Sequence, residues 1–275
     1  MKKKIVSICL VAVIAIMAIT GASLAYLTDT DGADNVFTVG NIKIQQNEQE
    51  RTETGLGDFT PNQTIVPAVL PETTTKEDVT VNDYTVKIRD NVANYVDKII
   101  SVTNTGKSDA YVRTFIAIPT AGYDSNNAAY NEWLHWNGVS NTDTNPNNGW
   151  MWGTKENGVE WPGNTDTWNC FTQIIDGVEY MVYVATNVDI LESGKATAPC
   201  FVGFYLDPRV DCEETDEGLN YFITIDNQKY DLGDISNLEI KVATQAVQAD
   251  GFADAWTALD SAFGTVTETD IPWAE

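Results

Sequence analysis

Histidine is almost absent from this chain, and most zinc catalysis depends on histidine. The 275 residues include one histidine, His135, and no H-E-x-x-H sequence. A catalytic zinc usually takes three protein ligands, commonly two or more of them histidines, with a nearby glutamate as base. His135 lies in Trp133-Leu-His-Trp136, where a packed or exposed loop imidazole is expected. No catalytic residue is assigned, and a non-enzymatic role is favoured.

Basic residues are also scarce. Sixteen Lys and Arg stand against 40 Asp and Glu, which gives a formal net charge of -24 at pH 7. Such a charge argues against nucleic acid or an anionic lipid surface as a partner, because both are negatively charged. The acidity is still compatible with binding of cations, with a basic partner, or simply with a need for solubility.

Cysteine is rare, and the count is odd once the N-terminal Cys9 is set aside. Cys170, Cys200 and Cys212 lack the C-x-x-C pairs that make a zinc site recognisable. An odd count permits at most one intramolecular disulfide, for which Cys170 with Cys200 is the preferred pair. Three reduced, buried thiols are the equal alternative.

Long apolar runs are missing except at the N-terminus. Lys2 to Lys4 are followed by the apolar run 5–19, and Ser23 and Ala25 are small residues at the positions that a signal peptidase reads. This pattern predicts a secretory signal peptide over residues 1–25, with membrane contact only during export. A membrane anchor is the alternative, but 15 residues make about 22 Å of helix against a hydrocarbon core of about 30 Å.

The remaining residues, 26–275, show many short strand patterns and suit a single domain. Turn signals such as Asn104-Thr-Gly106 and Asp176-Gly177 separate them, whereas Gln45 to Asp58 is polar and is interpreted as a loop. This organisation predicts a mostly β, jelly-roll-like β-sandwich. The predicted strands are 84–88, 97–103, 111–118, 171–175, 178–185, 201–206, 221–225 and 238–242.

One helix is predicted, near the C-terminus. Phe252, Trp256, Leu259 and Phe263 recur at helical spacing and predict a helix over 252–263 that packs on the core. Asp250 is the candidate N-terminal cap, and Gly264 is expected to end the helix.

A block over residues 133–168 holds six of the eight tryptophans and is interpreted as a long ordered insertion. Trp150 and Trp152 are candidates for glycan binding, because exposed indoles stack on sugar rings, so polysaccharide is a candidate partner. The alternative, which is favoured, is that the tryptophans order the insertion against the sandwich.

Calcium, which prefers several oxygen ligands, is the candidate cofactor. Asp29, Asp31 and Asp34 place carboxylates at close spacing, but they lack the glycine and closing glutamate of an EF-hand loop. The stretch from Asp207 to Glu217 is interpreted as a second acidic loop. Solvated negative charge is the default explanation for both.

Several segments resemble the TasA/camelysin family of exported proteins. They are the N-terminal lysines with the apolar run, Leu24-Ala-Tyr-Leu-Thr-Asp-Thr-Asp31 and Asn35-Val-Phe-Thr-Val-Gly-Asn-Ile-Lys-Ile44. Val102-Thr-Asn-Thr-Gly106 and Val242-Ala-Thr-Gln-Ala-Val-Gln-Ala-Asp-Gly-Phe252 match more loosely. The resemblance implies export through a SipW-type signal peptidase and a secreted structural protein of a bacterial cell surface or biofilm matrix. Its camelysin branch implies a metallo-endopeptidase as the alternative function.

In some members of that family, the resemblance further implies fibres in which the N-terminal strand of one subunit completes the sheet of the next. An extended segment can satisfy a sheet edge through backbone hydrogen bonds while alternate side chains fill pockets. The candidate donor is the segment 36–44, through Val36, Phe37, Val39, Ile42 and Ile44. Pairing of the same strand within its own subunit, which leaves a monomer, is the alternative.

Overall fold

The computed structural model describes residues 28–32, 35–36, 42–61, 63, 65, 67, 78–86, 94–120, 132–139, 148–153, 170–215, 218–233, 235, 239–267 and 272–273. The predicted signal segment, with Ser23 and Ala25, lies outside these ranges, as do Asp34, Phe37 and Val39. No helix in the described ranges has the length and apolar character needed to cross a membrane.

The protein is mostly β, as predicted, with one short helix. The strands are β1 Thr28–Gly32, β2 Asn35–Val36, β3 Ile44–Thr52, β4 Gly55–Asp58, β5 Val79–Val81, β6 Tyr84–Val86, β7 Val96–Asn104, β8 Ala110–Pro119, β9 Leu134–Gly138, β10 Trp150–Trp152, β11 Phe171–Ile175, β12 Val178–Leu191, β13 Phe201–Leu206, β14 Val210–Thr215, β15 Gly218–Ile225, β16 Gln228–Gly233 and β17 Lys241–Gln248. The helix is α1, Ala255–Phe263.

Two antiparallel sheets form a sandwich-like fold. Sheet I has the strand order β10-β12-β8-β17-β1-β2, with β11 also paired to β12, and sheet II has the order β4-β3-β7-β13-β9. A continuous core joins them, with Val112 and Ile116 from sheet I and Ile100, Val102 and Phe201 from sheet II. A smaller sheet, β14-β15-β16, and the hairpin β5-β6 complete the described strands.

The central strands β8 and β13 are buried along their whole length because both outer faces of the sandwich are covered. Every residue of β8 is buried: Ile116 and its face point into the core, while Tyr111 and Phe115 on the other face belong to clusters that include α1 and Val266. On sheet II, Ile99 and Tyr205 pack with Val81 of the β5-β6 hairpin. These near-continuous apolar runs are typical of strands covered on both faces.

The predicted helix exists, but it begins later than predicted. Asp254, and not Asp250, is the N-terminal cap: its carboxylate accepts hydrogen bonds from Thr257 N at 2.8 Å and Thr257 Oγ1 at 3.0 Å. Leu259 is buried against sheet I, and Gly264 ends the helix at a φ of 85°. The cap was misplaced because Phe252 was counted as the first residue of the helical stripe, although it lies before the cap and the helix begins only at Ala255.

The two polar stretches that were interpreted as loops are largely strands. Residues 45–58 form the β3-β4 hairpin, and β14 occupies most of 207–217. Polar side chains of β3 find partners across the sheet: Asn47 Nδ2 donates to Thr103 Oγ1 at 2.9 Å, and Arg51 forms a buried pair with Asp97, Nε to Oδ2 3.0 Å. Polarity alone therefore misidentified strands whose polar groups are satisfied inside the protein.

Other segments match their predicted positions. The strands 171–175 and 201–206 have the predicted bounds, and Asp176 and Gly177 form the predicted two-residue turn with φ of 53° and 81°. The last predicted strand, 238–242, was placed too early, since β17 runs from Lys241 to Gln248. Within the tryptophan-rich block, β9 joins sheet II and β10 joins sheet I.

Candidate functional site

The most distinctive site is the edge of sheet I that the first described strand fills. β1 pairs antiparallel with β17 from Thr28 opposite Val247 to Gly32 opposite Ala243. β2 in turn covers β1 only at Asp31 and Gly32. The edge of β17 is thus occupied by an N-terminal segment of its own chain. We call this edge of β17, with its two flanking faces, the β17 slot.

The inner side of the β17 slot combines core packing with a polar link to sheet II. Val242 and Ala246 belong to the main core. Between them, the buried Thr244 donates from Oγ1 to Gln46 Oε1 at 2.9 Å and lies 3.0 Å from Thr114 Oγ1. Because these bonds join β17, β8 and β3, they fix the position of β17 relative to both sheets.

The outer side of the β17 slot is fixed by Arg113, a charge in the otherwise apolar strand β8. Its side chain is 2% exposed. Nε donates to Gln245 Oε1 at 2.7 Å, Nη1 to Asp260 Oδ1 at 3.1 Å and Nη2 to Gly264 O at 3.3 Å. One guanidinium therefore ties β8, β17 and α1 together, and its carboxylate partner comes from the helix.

A second polar cluster lies at the β9 edge of sheet II. His135 Nε2 is 2.7 Å from Asp207 Oδ2, and the imidazole stacks on Tyr205 with ring centroids 4.9 Å apart. Arg209 donates from Nε to Asp207 Oδ1 at 2.7 Å and from Nη2 to Glu132 Oε2 at 2.6 Å. The single histidine thus lies on a strand, in contact with a carboxylate that an arginine also holds.

This environment fixes the charge state of Asp207. Burial alone would raise the pKa of its carboxyl, but hydrogen bonds from Arg209 and then from His135 outweigh burial and hold the pKa below its usual value. The same bond to Asp207, followed by that to Glu132, raises the pKa of the Arg209 guanidinium. The cluster is consequently a network of hydrogen bonds and ion pairs centred on Asp207.

The structure brings together few of the residues singled out in the sequence. Trp150 and Trp152 are 0% and 1% exposed, and their indole Nε1 groups donate to the carbonyls of Ala198 at 2.7 Å and Val139 at 2.8 Å. Neither indole face is accessible to a sugar ring in this structure. Ile42 and Ile44, proposed as donor residues, lie in the main core at 0% and 3% exposure.

The three cysteines are free thiols, so the suggested bridge between Cys170 and Cys200 is not formed. Cys170 precedes β11 of sheet I, whereas Cys200 directly precedes β13 of sheet II. The Cys200 Sγ lies 3.6 Å from Ile100 O. Burial raises the pKa of the Cys200 thiol to about 12 and also raises the pKa of Cys170. Cys212 is exposed on β14.

No three His, Cys, Asp or Glu side chains converge as a metal-binding group within the described ranges. Asp29 and Asp31 lie on β1, and Asp34 is outside those ranges. Calcium binding at these three aspartates stays a prediction.

Comparison with known proteins gives no assignment: no family model, curated protein or solved structure matches this chain.

The sequence did not predict that the residues of the β17 slot come together. The one available signal was Arg113, because a charge in an apolar strand requires a buried partner or a solvent-facing position.

Proposed function

We propose that this protein is an exported structural subunit of a bacterial cell surface or biofilm matrix, and that copies assemble by exchange of the N-terminal strand. The observation that carries the proposal is the pairing of β1 with β17, in which a short N-terminal segment completes a sheet whose other strands come from later in the chain. Another copy can supply the same backbone hydrogen bonds, because strand pairing does not depend on which chain provides the strand.

The β17 slot suits an incoming strand. Strand β17 is held on its inner side by Thr244 and Gln46 and on its outer side by Arg113 and Gln245. The acceptor edge is thus preorganised, which reduces the entropy that binding must remove. Exchange of an identical element between copies is a low-cost route to assembly, since each copy keeps the same contacts.

The donated segment is proposed to be β1 with β2, which lies earlier in the chain than the segment 36–44 suggested by the sequence. Donation through Ile42 and Ile44 would withdraw two buried side chains from the core of the donor. A strand that ends before residue 42 avoids this cost. Export itself is supported by the charged, apolar and small-residue pattern of residues 1–25 and by the resemblance to exported matrix proteins.

The direct test compares two purified proteins by negative-stain electron microscopy, one beginning at Tyr26 and one at Ala33, which lacks β1. We expect filaments only from the longer protein. A synthetic peptide covering residues 26–36 serves as the matched control: it should bind the shorter protein, which has an open slot, and bind the longer one more weakly. Monomers from both proteins across concentration, pH and added calcium would contradict assembly, and filaments from both would contradict the role of β1.

A further inference from the structure

The opposite side of sheet I ends in two strands, β10 and β11, which pair with different stretches of β12, and the β11 part of this edge has very different chemistry. The sequence of β11, Phe171-Thr-Gln-Ile-Ile175, has no charged residue and no proline. Within the described ranges, β11 pairs only with β12. Natural edge strands are usually protected by charges, prolines, bulges or a covering segment, because a free edge is a template for another strand. The β11 sequence carries none of the protecting residue types.

The hairpin formed by β11 and β12 also exposes apolar side chains. Ile174 is 66% exposed and Val178 is 48% exposed, and together with Ile190 they are the exposed large hydrophobic residues among those described. Ile174 lies opposite Glu179, on the face of β12 that packs toward sheet II further along the strand at Tyr183. At the β11 end of sheet I, the face on which Ile174 and Glu179 lie is exposed to solvent, so Ile174 is in contact with water.

Two carboxylates lie near this hairpin; Asp176 is paired with a lysine, and Glu179 is held by a neutral hydroxyl and keeps its charge. Asp176 Oδ2 lies 3.2 Å from Lys241 Nζ, and Glu179 Oε1 accepts a hydrogen bond from Thr120 Oγ1 at 2.9 Å. The chain as a whole carries a formal charge of -24, so two copies repel each other over most of their surfaces. The neutral strand β11 is therefore a place where two copies can approach with little electrostatic cost.

We propose that β11 is a second self-association site, at which two copies pair β11 with β11 in antiparallel orientation. With Gln173 on the two-fold axis, Phe171 of one copy lies opposite Ile175 of the other, and both copies bury the exposed Ile174. A two-fold arrangement uses the same patch on both subunits, so the contact closes after two copies. A five-residue strand pair is a small interface, and the dimer is expected to be weak and concentration-dependent.

This site is independent of the proposed strand exchange, because it uses the other edge of sheet I and no residue of β1. Exchange through β1 would propagate from copy to copy, whereas pairing through β11 would join copies two at a time. Loss of association on removal of β1 therefore tests the first site, and loss on substitution in β11 tests the second.

The test is sedimentation velocity of the mature protein, beginning at Tyr26, over a range of concentrations. Ile174→Glu places like charges in the interface of both copies, and we expect the dissociation constant of the dimer to rise about tenfold or more. Ile190→Glu is the matched control, because it adds the same charge at another exposed isoleucine, on β12. The control should leave the dissociation constant unchanged.

Hydrogen exchange of the wild-type protein provides a second measurement, which needs no substituted variant and therefore does not depend on how a variant folds. The backbone amides of Thr172 and Ile174 should exchange more slowly as the protein concentration rises. The proposal would be overturned if the protein stayed monomeric at every concentration or if both substitutions weakened the dimer equally. It would also be overturned if the exchange rates of these amides did not depend on protein concentration.

Discussion

The two edges of sheet I offer the same backbone groups to an incoming strand but surround them with different side chains. At the β17 slot, both flanking faces are covered, by the core and Gln46 on one side and by Arg113 and α1 on the other. At β11, one face packs through Ile175 on the cluster that contains Val266, and the other leaves Ile174 66% exposed.

Backbone hydrogen bonding alone therefore does not distinguish a specific site from a weak one. Burial on both sides excludes water from the strand pair and restricts the register, whereas an open face does neither. We expect the β17 slot to hold its strand tightly and in one register, and the β11 edge to associate weakly. The predictions below test that difference, starting with the largest effect.

Removal of the Arg113 side chain should have the largest effect. Arg113→Ala leaves Gln245 Oε1 and Gly264 O without this donor and breaks the contact with Asp260, so we expect the free energy of unfolding to fall by about 3 kcal/mol. Urea denaturation measures this change. The matched control is Lys229→Ala, because Lys229 and its partner Glu213 are 44% and 49% exposed and such surface pairs contribute about 1 kcal/mol or less. Equal losses for the two variants would contradict the role given to Arg113.

A smaller loss is expected on the inner side of the same slot. Thr244→Val keeps the shape of the side chain but leaves Gln46 and Thr114 without their bonds to Thr244, which should cost about 1–2 kcal/mol of unfolding free energy. Thr224→Val, at an exposed position on β15, is the control and should be nearly neutral. If both variants are neutral in urea denaturation, the polar link to sheet II does not stabilise the slot.

The β9 edge of sheet II extends the comparison, because there a charge network covers the edge strand. The folded-state pKa of Asp207 lies below its ordinary value of 3.8. Its stabilising contribution is therefore present above about pH 4 and is lost as the pH falls through the lowered pKa. Melting temperatures of the wild type and Asp207→Asn should differ most near neutral pH and converge under acid. A difference that does not depend on pH would contradict this explanation.

The smallest effect on stability is expected at β11. Ile174→Glu changes a solvent-exposed side chain, so the free energy of unfolding should change by no more than about 0.5 kcal/mol while the dimer is weakened. Thermal unfolding at low protein concentration measures the first quantity. A large loss of stability would show that Ile174 supports its own subunit, and the contrast between the two edges would fail.

The sequence predicted the apolar framework well, because burial imposes a pattern on β8, β13 and β11. The β11-β12 turn was predictable because Asp176 and Gly177 both adopt a positive φ, a conformation that their residue types accept at low cost. Strand β3 was missed because its polar side chains are satisfied by distant residues, as Arg51 is by Asp97 across the sheet. Partners about 50 residues apart leave no local pattern.

The site was harder to predict than the fold. Arg113 meets Gln245 and Asp260 only after β17 and α1 have packed on β8, so its partners lie more than a hundred residues away in sequence. The tryptophans were compatible with glycan binding or with packing against the sandwich, and the favoured second interpretation holds for Trp150 and Trp152, which are core residues. Composition identifies residue types that can bind, and only packing decides which of them are accessible.

The measurement that tests the central claim most directly asks which chain supplies β1 in an assembled protein. Asp29 and Ala246 are register partners in β1 and β17, and Asp29→Cys with Ala246→Cys, in a Cys212→Ser background, allows a disulfide to record their pairing. Equal amounts of isotopically heavy and light protein are unfolded, mixed, assembled and oxidised, and the bridged peptides are analysed by mass spectrometry. Strand exchange predicts that about half of the bridged peptides join one heavy and one light chain. Bridges found only within chains of the same label would contradict the proposed assembly.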